Sequence, residues 1–263
     1  MSQIICPICK RSDCIKLYGE TNEITLYQCY ACRFAFQNRL TYKYPYSDID
    51  YYDPRNQPSV IYPITTNSTD VDRLSFIHKK VKSGKILEIG GGLGSTSIYA
   101  NNLGYEVYLI EESKNAVSNG KKYHPTIHWI NDCTIPESIK LIDFNIVMMF
   151  HVLEHIIELD YFMNQLTSIA NKGTHVIVEV PNWDSLERKF KKMDWLYILD
   201  HHPNQFSKYS LLKLFSMYGF YPINIEYRRT FAINEKRPYR EYFKKILCLL
   251  GFSNVIRICF VKS

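Results

Sequence analysis

The stretch KILEIGGGLGSTSIYANNLGYEVYLIEES, residues 85–113, constrains the fold more than any other part of the chain. An apolar run (Ile86–Ile89) leads into glycines, then a helical segment, then a second apolar run (Glu106–Ile110). Strand, tight turn, helix and strand make a βαβ unit. Two strands joined that way are parallel, because a parallel neighbour is reached only through a crossover. Parallel sheets need helices on both faces, so the chain reads as α/β. Glu88-x-Gly90-x-Gly92-x-Gly94 fills the first strand-to-helix turn, where glycines permit positive φ and close approach of backbone to a ligand. Glu111 ends the second strand, where an acid can accept ribose hydroxyls.

The glycine spacing departs from the G-x-G-x-x-G of dinucleotide sites, and no P-loop Lys-Ser/Thr follows it. Val71, Leu74, Ile77 and Val81 predict a preceding helix, with Ser68-Thr69-Asp70 as caps and Gly84 as its stop. Asn145–Phe150, entered through Asp143-Phe144, reads as the fourth strand. Leu159, Phe162, Met163, Leu166 and Ile169 mark an amphipathic helix after it. Leu211, Leu212, Leu214 and Phe215 form another, stopped by Gly219. YPINIEYRR and VIRICFVKS read as the last two strands. Between them RPYREYFKKILCLLGF is an amphipathic helix whose Arg237, Arg240, Lys244 and Lys245 form a solvated face.

At the front, Cys6-x-x-Cys9 and Cys29-x-x-Cys32 have the spacing of a zinc ribbon. Two such turns aim four thiolates at one point, and the closed S₄ shell implies a structural rather than catalytic zinc. The segment between them reads as a hairpin turning at Gly19-Glu20-Thr21-Asn22, with Cys14 outside the shell. Residues 1–40 are thus a ribbon, 41–68 a Tyr- and Pro-rich linker, and 69–263 the main domain. MSQIICPICKRSD lacks the order of a secretory signal, and no apolar run spans a bilayer. A cytoplasmic, thiol-reducing setting follows, in which paired cysteines mean metal. The net charge of +6 tolerates an anionic substrate, but scattered charges without a basic-aromatic stripe argue against nucleic acid.

His151-x-x-Glu154-His155 has the spelling of an inverted zinc-protease motif. That motif needs both histidines on one helical face, whereas here a strand ends immediately before His151. The peptidase pattern fails on geometry. Asp200-His201-His202-Pro203 is too polar and too full of breakers for a core element and reads as a loop over the sheet edge. Trp183 and Trp195 are candidates for a pocket wall, with core packing the alternative.

The Glu88–Gly94 loop, Glu111, INDC (Asp132), FNIVMMFHVLEH, VIVEVPNWDSL and LDHHPNQFSKYSLLKLFSMYGF occur in the order seen in one family. Over roughly residues 50 to 228 the chain resembles class I S-adenosylmethionine-dependent methyltransferases, of the subgroup that carries an N-terminal zinc ribbon. Asn145 departs from the aspartate common at its position. The resemblance implies a Rossmann-like seven-stranded, mostly parallel sheet with helices on both faces. It implies S-adenosylmethionine held by Tyr52, Glu88, Gly90, Gly92, Gly94, Glu111, Asp132, Cys133 and Phe150. Its donor is an activated sulfonium, so the enzyme mainly needs an in-line acceptor freed of its proton. Imidazole suits that task. His151 and His202 are the candidate bases. His155 lines the acceptor pocket or, with Glu154, braces the helix start. The acceptor expected from the resemblance is a small polar metabolite such as a sugar or nucleotide-sugar. An RNA base methyltransferase and a non-catalytic binding protein are the alternatives.

Overall fold

The computed structural model describes residues 3–37, 52, 62–228, 248 and 250–263. Strands β1 (Ile15–Glu20), β2 (Thr25–Cys29) and β3 (Phe34–Gln37) come first, followed by helices α1 (Ser68–Ser75) and α2 (Ile77–Lys80). Then come β4 (Lys85–Ile89), α3 (Ser95–Asn102), β5 (Glu106–Glu111), α4 (Lys114–Tyr123), β6 (His128–Asn131) and β7 (Ile146–Phe150). The chain continues through α5 (Leu159–Ile169), β8 (His175–Pro181), α6 (Leu186–Lys191), β9 (Asn204–Gln205) and α7 (Lys208–Met217). It ends with β10 (Phe220–Arg228) and β11 (Val255–Lys262). A seven-stranded sheet has the order β10-β11-β8-β7-β4-β5-β6, and a second sheet has the order β1-β2-β3-β9. The pairs β4–β5, β4–β7 and β5–β6 are parallel, as the βαβ unit requires. The basic helix expected before the last strand and most of the Tyr/Pro linker lie outside the described residues.

By contact density the chain forms two compact units. One comprises Tyr46–Phe150, Phe162–Ile177 and Val261–Ser263. Its strands are apolar on both faces, and Ile86, Leu87, Val107, Leu109 and Ile146 to Met149 have no exposed surface. That is the pattern of parallel strands covered on both sides. The cap of α1 is Asn67 rather than Ser68–Asp70: its side chain accepts from Thr69 N at 2.8 Å while Asp70 reaches back to Asn67 N at 2.8 Å. This reciprocal box satisfies donors that the helix start would otherwise orphan. The single predicted helix breaks at Phe76, where the Ser75 hydroxyl bonds back to Asp72 O. Asn145 Oδ1 accepts from Lys85 N at 2.8 Å and fills the space over Gly84. An amide oxygen accepts as a carboxylate oxygen does, so this departure leaves the strand entrance intact.

The other unit comprises Met1–Pro45, His151–Tyr161 and Val178–Phe260. Its hairpin turns at Thr21–Ile24, two residues later than the glycine suggested. Thr21 Oγ1 accepts from Glu23 N and Ile24 N, while Gly19 sits inside β1, at a register irregularity, against Met193. Residues 200–203 form a loop, as their polarity and breakers predict, and the strand that follows it, β9, pairs with β3. Trp183 and Trp195 are fully buried with Leu26 and Ala35 in one cluster, so they are core and not pocket wall. Either tryptophan reduced to alanine would cost about 3–5 kcal/mol.

Candidate active site

In the first unit the loop after β4 takes left-handed conformations at Gly90, Gly92 and Gly94, with φ of 65°, 56° and 80°. Two of these positions also lack room for a side chain. A Cβ on Gly92 would collide with the Tyr52 hydroxyl, and one on Gly94 with the Trp129 ring. Gly90 N and Gly91 N bond Ile110 O at 2.9 and 3.3 Å, pinning the loop to β5. Glu111 is buried, and its carboxylate accepts from Gly92 N at 2.8 Å and Ser113 N at 2.9 Å. Both bonds tie the carboxylate to backbone on either side of the site. They hold the acid rigid at the end of β5, the place where such folds bind ribose.

Glu88 lies beneath the loop, with its carboxyl against Ser97 Oγ at 2.5 Å. Burial pushes its pKa up to about 7, opposed by the Ser97 bond and by the Arg73 charge. Asp132 is half-buried and closes a turn by accepting from Thr134 N at 2.9 Å and Thr134 Oγ1 at 3.0 Å. Cys133 is exposed. Phe150 is buried, with the Arg73 guanidinium 4.3 Å from its ring centre. Asp70, also buried, accepts from Ser95 Oγ at 3.0 Å and Thr96 Oγ1 at 2.8 Å, so α1 anchors the start of α3. Neither Asp70 nor Arg73 was singled out as a site residue. Helical spacing alone gave no sign that their polar faces meet the loop.

The histidines belong to the second unit. His151, the residue after β7, has φ of 58°, rare for a residue with a Cβ and costly by about 1–2 kcal/mol. Its N–H donates to Glu179 O at 2.8 Å. Glu154 Oε1 lies 3.2 Å from Nδ1 and Glu179 Oε1 lies 3.5 Å from Nε2. Burial disfavours charge on this imidazole, but the bonds to Glu154 and Glu179 outweigh it and bring the pKa up to about 9. Glu179 also receives Arg257 Nε at 2.8 Å and Nη2 at 2.6 Å. Neither partner was anticipated. Each is the lone charge in an apolar strand, VIVEVP or VIRICF, and a buried charge demands a partner.

Leu153–His155 form a single 3₁₀ turn. His155 Nδ1 bonds His201 O at 2.9 Å, and His202 Nδ1 bonds Tyr197 O at 3.0 Å. The rings of His155 and His202 meet edge to face with centres 4.6 Å apart. Burial lowers the pKa of both against the pull of Glu154, that of His202 to about 4. Glu154 is itself held below its usual range, its burial being outweighed by His151. The segment bearing His201 and His202 is gripped by the cysteine module. Gln37 Nε2 donates to Leu199 O, Asp200 O and His202 O at 2.8, 3.1 and 3.2 Å, and Gln37 N to Pro203 O at 3.0 Å.

Cys6, Cys9, Cys29 and Cys32 converge, with their sulfurs within 4.8 Å of one another and the Cys6–Cys32 and Cys9–Cys29 pairs at 3.5 Å. Four sulfurs bound to one zinc in a tetrahedron stand about 3.8 Å apart, so this donor set fits the ion. Cys14, left outside the shell, has its sulfur 3.4 Å from Cys29. Among the described residues no helix is long and apolar enough to cross a membrane.

A parallel sheet with a glycine loop and a pinned acid on the next strand is the arrangement of nucleoside-binding α/β enzymes, and the family match makes this one an S-adenosylmethionine-dependent methyltransferase. A family model described as "Methyltransferase domain" matches residues 64–225, and the chain belongs to that family. Solved structures agree in fold. An S-adenosylmethionine dependent methyltransferase from Listeria monocytogenes is 12% identical, with a TM-score of 0.53, covering 74% of this chain and 98% of that one. One from Archaeoglobus fulgidus is 17% identical at a TM-score of 0.53, covering 73% and 92%. A chain of the Haloferax volcanii complex between a methyltransferase and its Trm112 activator is 11% identical at 0.56, covering 74% and 91%. No curated protein matches the chain.

Proposed function

We propose that the chain transfers a methyl group from S-adenosylmethionine to a small polar metabolite, of the sugar or nucleotide-sugar class. His151 is the general base, and Cys6, Cys9, Cys29 and Cys32 hold one structural zinc. The observation that carries the base assignment is the strained His151 between two carboxylates, directly after the strand that ends in Phe150. Strain of this kind persists where the surroundings overdetermine it, and it concentrates at active sites. Glu154 and Glu179 orient the ring and favour its imidazolium, so the neutral ring that accepts the proton forms only as pH approaches about 9, and transfer should rise toward that pH. The Nε2–Glu179 contact is the longer one, and Glu179 is already served by Arg257, so Nε2 is the nitrogen that can turn to the acceptor. His202 is the weaker candidate, since it is buried with Nδ1 committed to Tyr197 O. The cofactor is held by the Gly90–Gly94 loop, Tyr52 and Glu111, with Asp132, Cys133 and Phe150 around the adenosine. The zinc acts at a distance by keeping β3 and Gln37 in place beneath the histidine segment.

The test supplies methyl-labelled donor with cell extract split into an RNA fraction and an RNA-free metabolite fraction. Label should enter the metabolite fraction. His151→Ala should cut that transfer by about 10²–10⁴-fold while affinity for S-adenosylhomocysteine stays the same. Label in RNA alone would overturn the acceptor class, and near-normal turnover of the alanine variant would overturn the base.

A further inference from the structure

We propose a second metal site, distinct from the four cysteines: Glu154, His155 and His202 together bind one divalent transition-metal ion. One potential ligand atom from each of the three lies within 4.8 Å of the others. Three ligands bonded to one ion at about 2.1 Å stand about 3.4–3.6 Å from one another, so a movement of each side-chain atom by less than about 1 Å completes the shell. The hydrogen bonding has the form such sites require. A ligating histidine nearly always donates its other ring N–H to a carbonyl or carboxylate. Nδ1 of His155 is bonded to His201 O and Nδ1 of His202 to Tyr197 O, which leaves Nε2 of both as the ligand.

An independent observation comes from the carboxylate. Glu154 is 1% exposed, and among the described residues its Oε2 is buried without any hydrogen-bond partner. Oε1 is engaged by His151. A buried charged oxygen left unpaired is expensive, and a cation bound to it removes the cost. Two imidazoles and one carboxylate favour zinc, cobalt or iron(II) over magnesium or calcium, which prefer oxygen alone.

Three protein ligands leave open positions, the mark of a working rather than a purely structural centre. On the methyl-transfer reading above, those positions receive hydroxyl oxygens of the acceptor. The same carboxylate would then join the ion through Oε2 to His151 through Oε1. That use rests on the methyl-transfer reading, whereas binding of the ion does not.

The experiment takes the full chain with its cysteine site zinc-loaded, removes weakly held metal with a mild chelator, and titrates with Co²⁺ alone. Wild type should take up one equivalent with visible ligand-field bands and no near-ultraviolet thiolate-to-cobalt charge transfer. Glu154→Gln, His155→Gln and His202→Gln should each weaken uptake by more than about 100-fold, beyond the usual loss for outer-shell partners. His201→Gln should keep it. Retained zinc and S-adenosylhomocysteine binding show that a variant is folded. X-ray absorption of the wild-type cobalt adduct reads nitrogen and oxygen neighbours without any variant. No cobalt uptake by wild type, sulfur neighbours, or wild-type affinity in any of the three ligand variants would overturn the site. Cobalt uptake with no methyl transfer would leave the site standing and refute only its use.

Discussion

Glu88→Gln should make the protein more stable above neutral pH and leave it nearly unchanged in acid. The carboxyl lies beneath the glycine loop against Ser97, and burial raises its pKa from an ordinary 4.5 to about 7. Between those values the folded chain keeps a proton that the unfolded chain has released. Stability therefore falls as pH rises through this window and levels off above it. The whole displacement costs the folded state about 3 kcal/mol once the carboxyl is ionised. Glutamine has the same shape, can still accept from Ser97 and never ionises, so it escapes that cost. At pH 8.5 the variant should melt about 6–12 °C above wild type, given 2–4 °C per kcal/mol for a chain of this size. At pH 5.5 the gap should shrink to about half. Scanning calorimetry of both proteins, zinc-loaded and without cofactor, at half-unit pH steps measures the gap directly. A gap independent of pH, or a variant less stable than wild type at pH 8.5, would refute the reasoning. Glu88 would then be ionised and favourably solvated in the folded state.

Glu111→Ala removes an acid that accepts from Gly92 N and Ser113 N, so calorimetry should show S-adenosylhomocysteine binding weakened by about 1.5–3 kcal/mol. Unchanged affinity would remove Glu111 from the site. Cys32→Ser should lose the zinc, as elemental analysis would show, and lower methyl transfer by releasing Gln37 from residues 199–203. Donor affinity should persist, because the cofactor residues belong to the other unit, and a parallel loss of both would contradict that division of labour. Gly94→Ala meets both a φ of 80° and the Trp129 ring, so thermal melting should report a loss of about 1–3 kcal/mol. An unshifted melt would show that the loop can relax.

What the sequence determined by itself is local. Strand, glycine turn and helix follow from hydrophobic period and from the backbone freedom of glycine, and all of these are properties of consecutive residues. The two C-x-x-C turns are equally local, since each presents its thiolates whatever surrounds it. Even there, tertiary contacts moved the detail: Gly19 went into a strand against Met193, and the turn formed where Thr21 could cap it. The partners of the buried polar groups were beyond any local pattern. Glu179 finds Arg257 across 78 residues, Gln37 finds Leu199 across 162, and His155 meets the His201 carbonyl across 46. Period and spacing say that a residue is buried or lies on a loop, but not which distant group will satisfy its charge. The segment 200–203 was legible as polar and broken, yet only the pairing of β9 with β3 turned it into a fixed mount for His202. Glu154 looked like a helix brace beside a rejected protease motif. Folding left one of its oxygens buried near histidines and, among the described residues, without a hydrogen-bond partner, because a carboxylate's environment is set by what packs around it rather than by what precedes it in the chain.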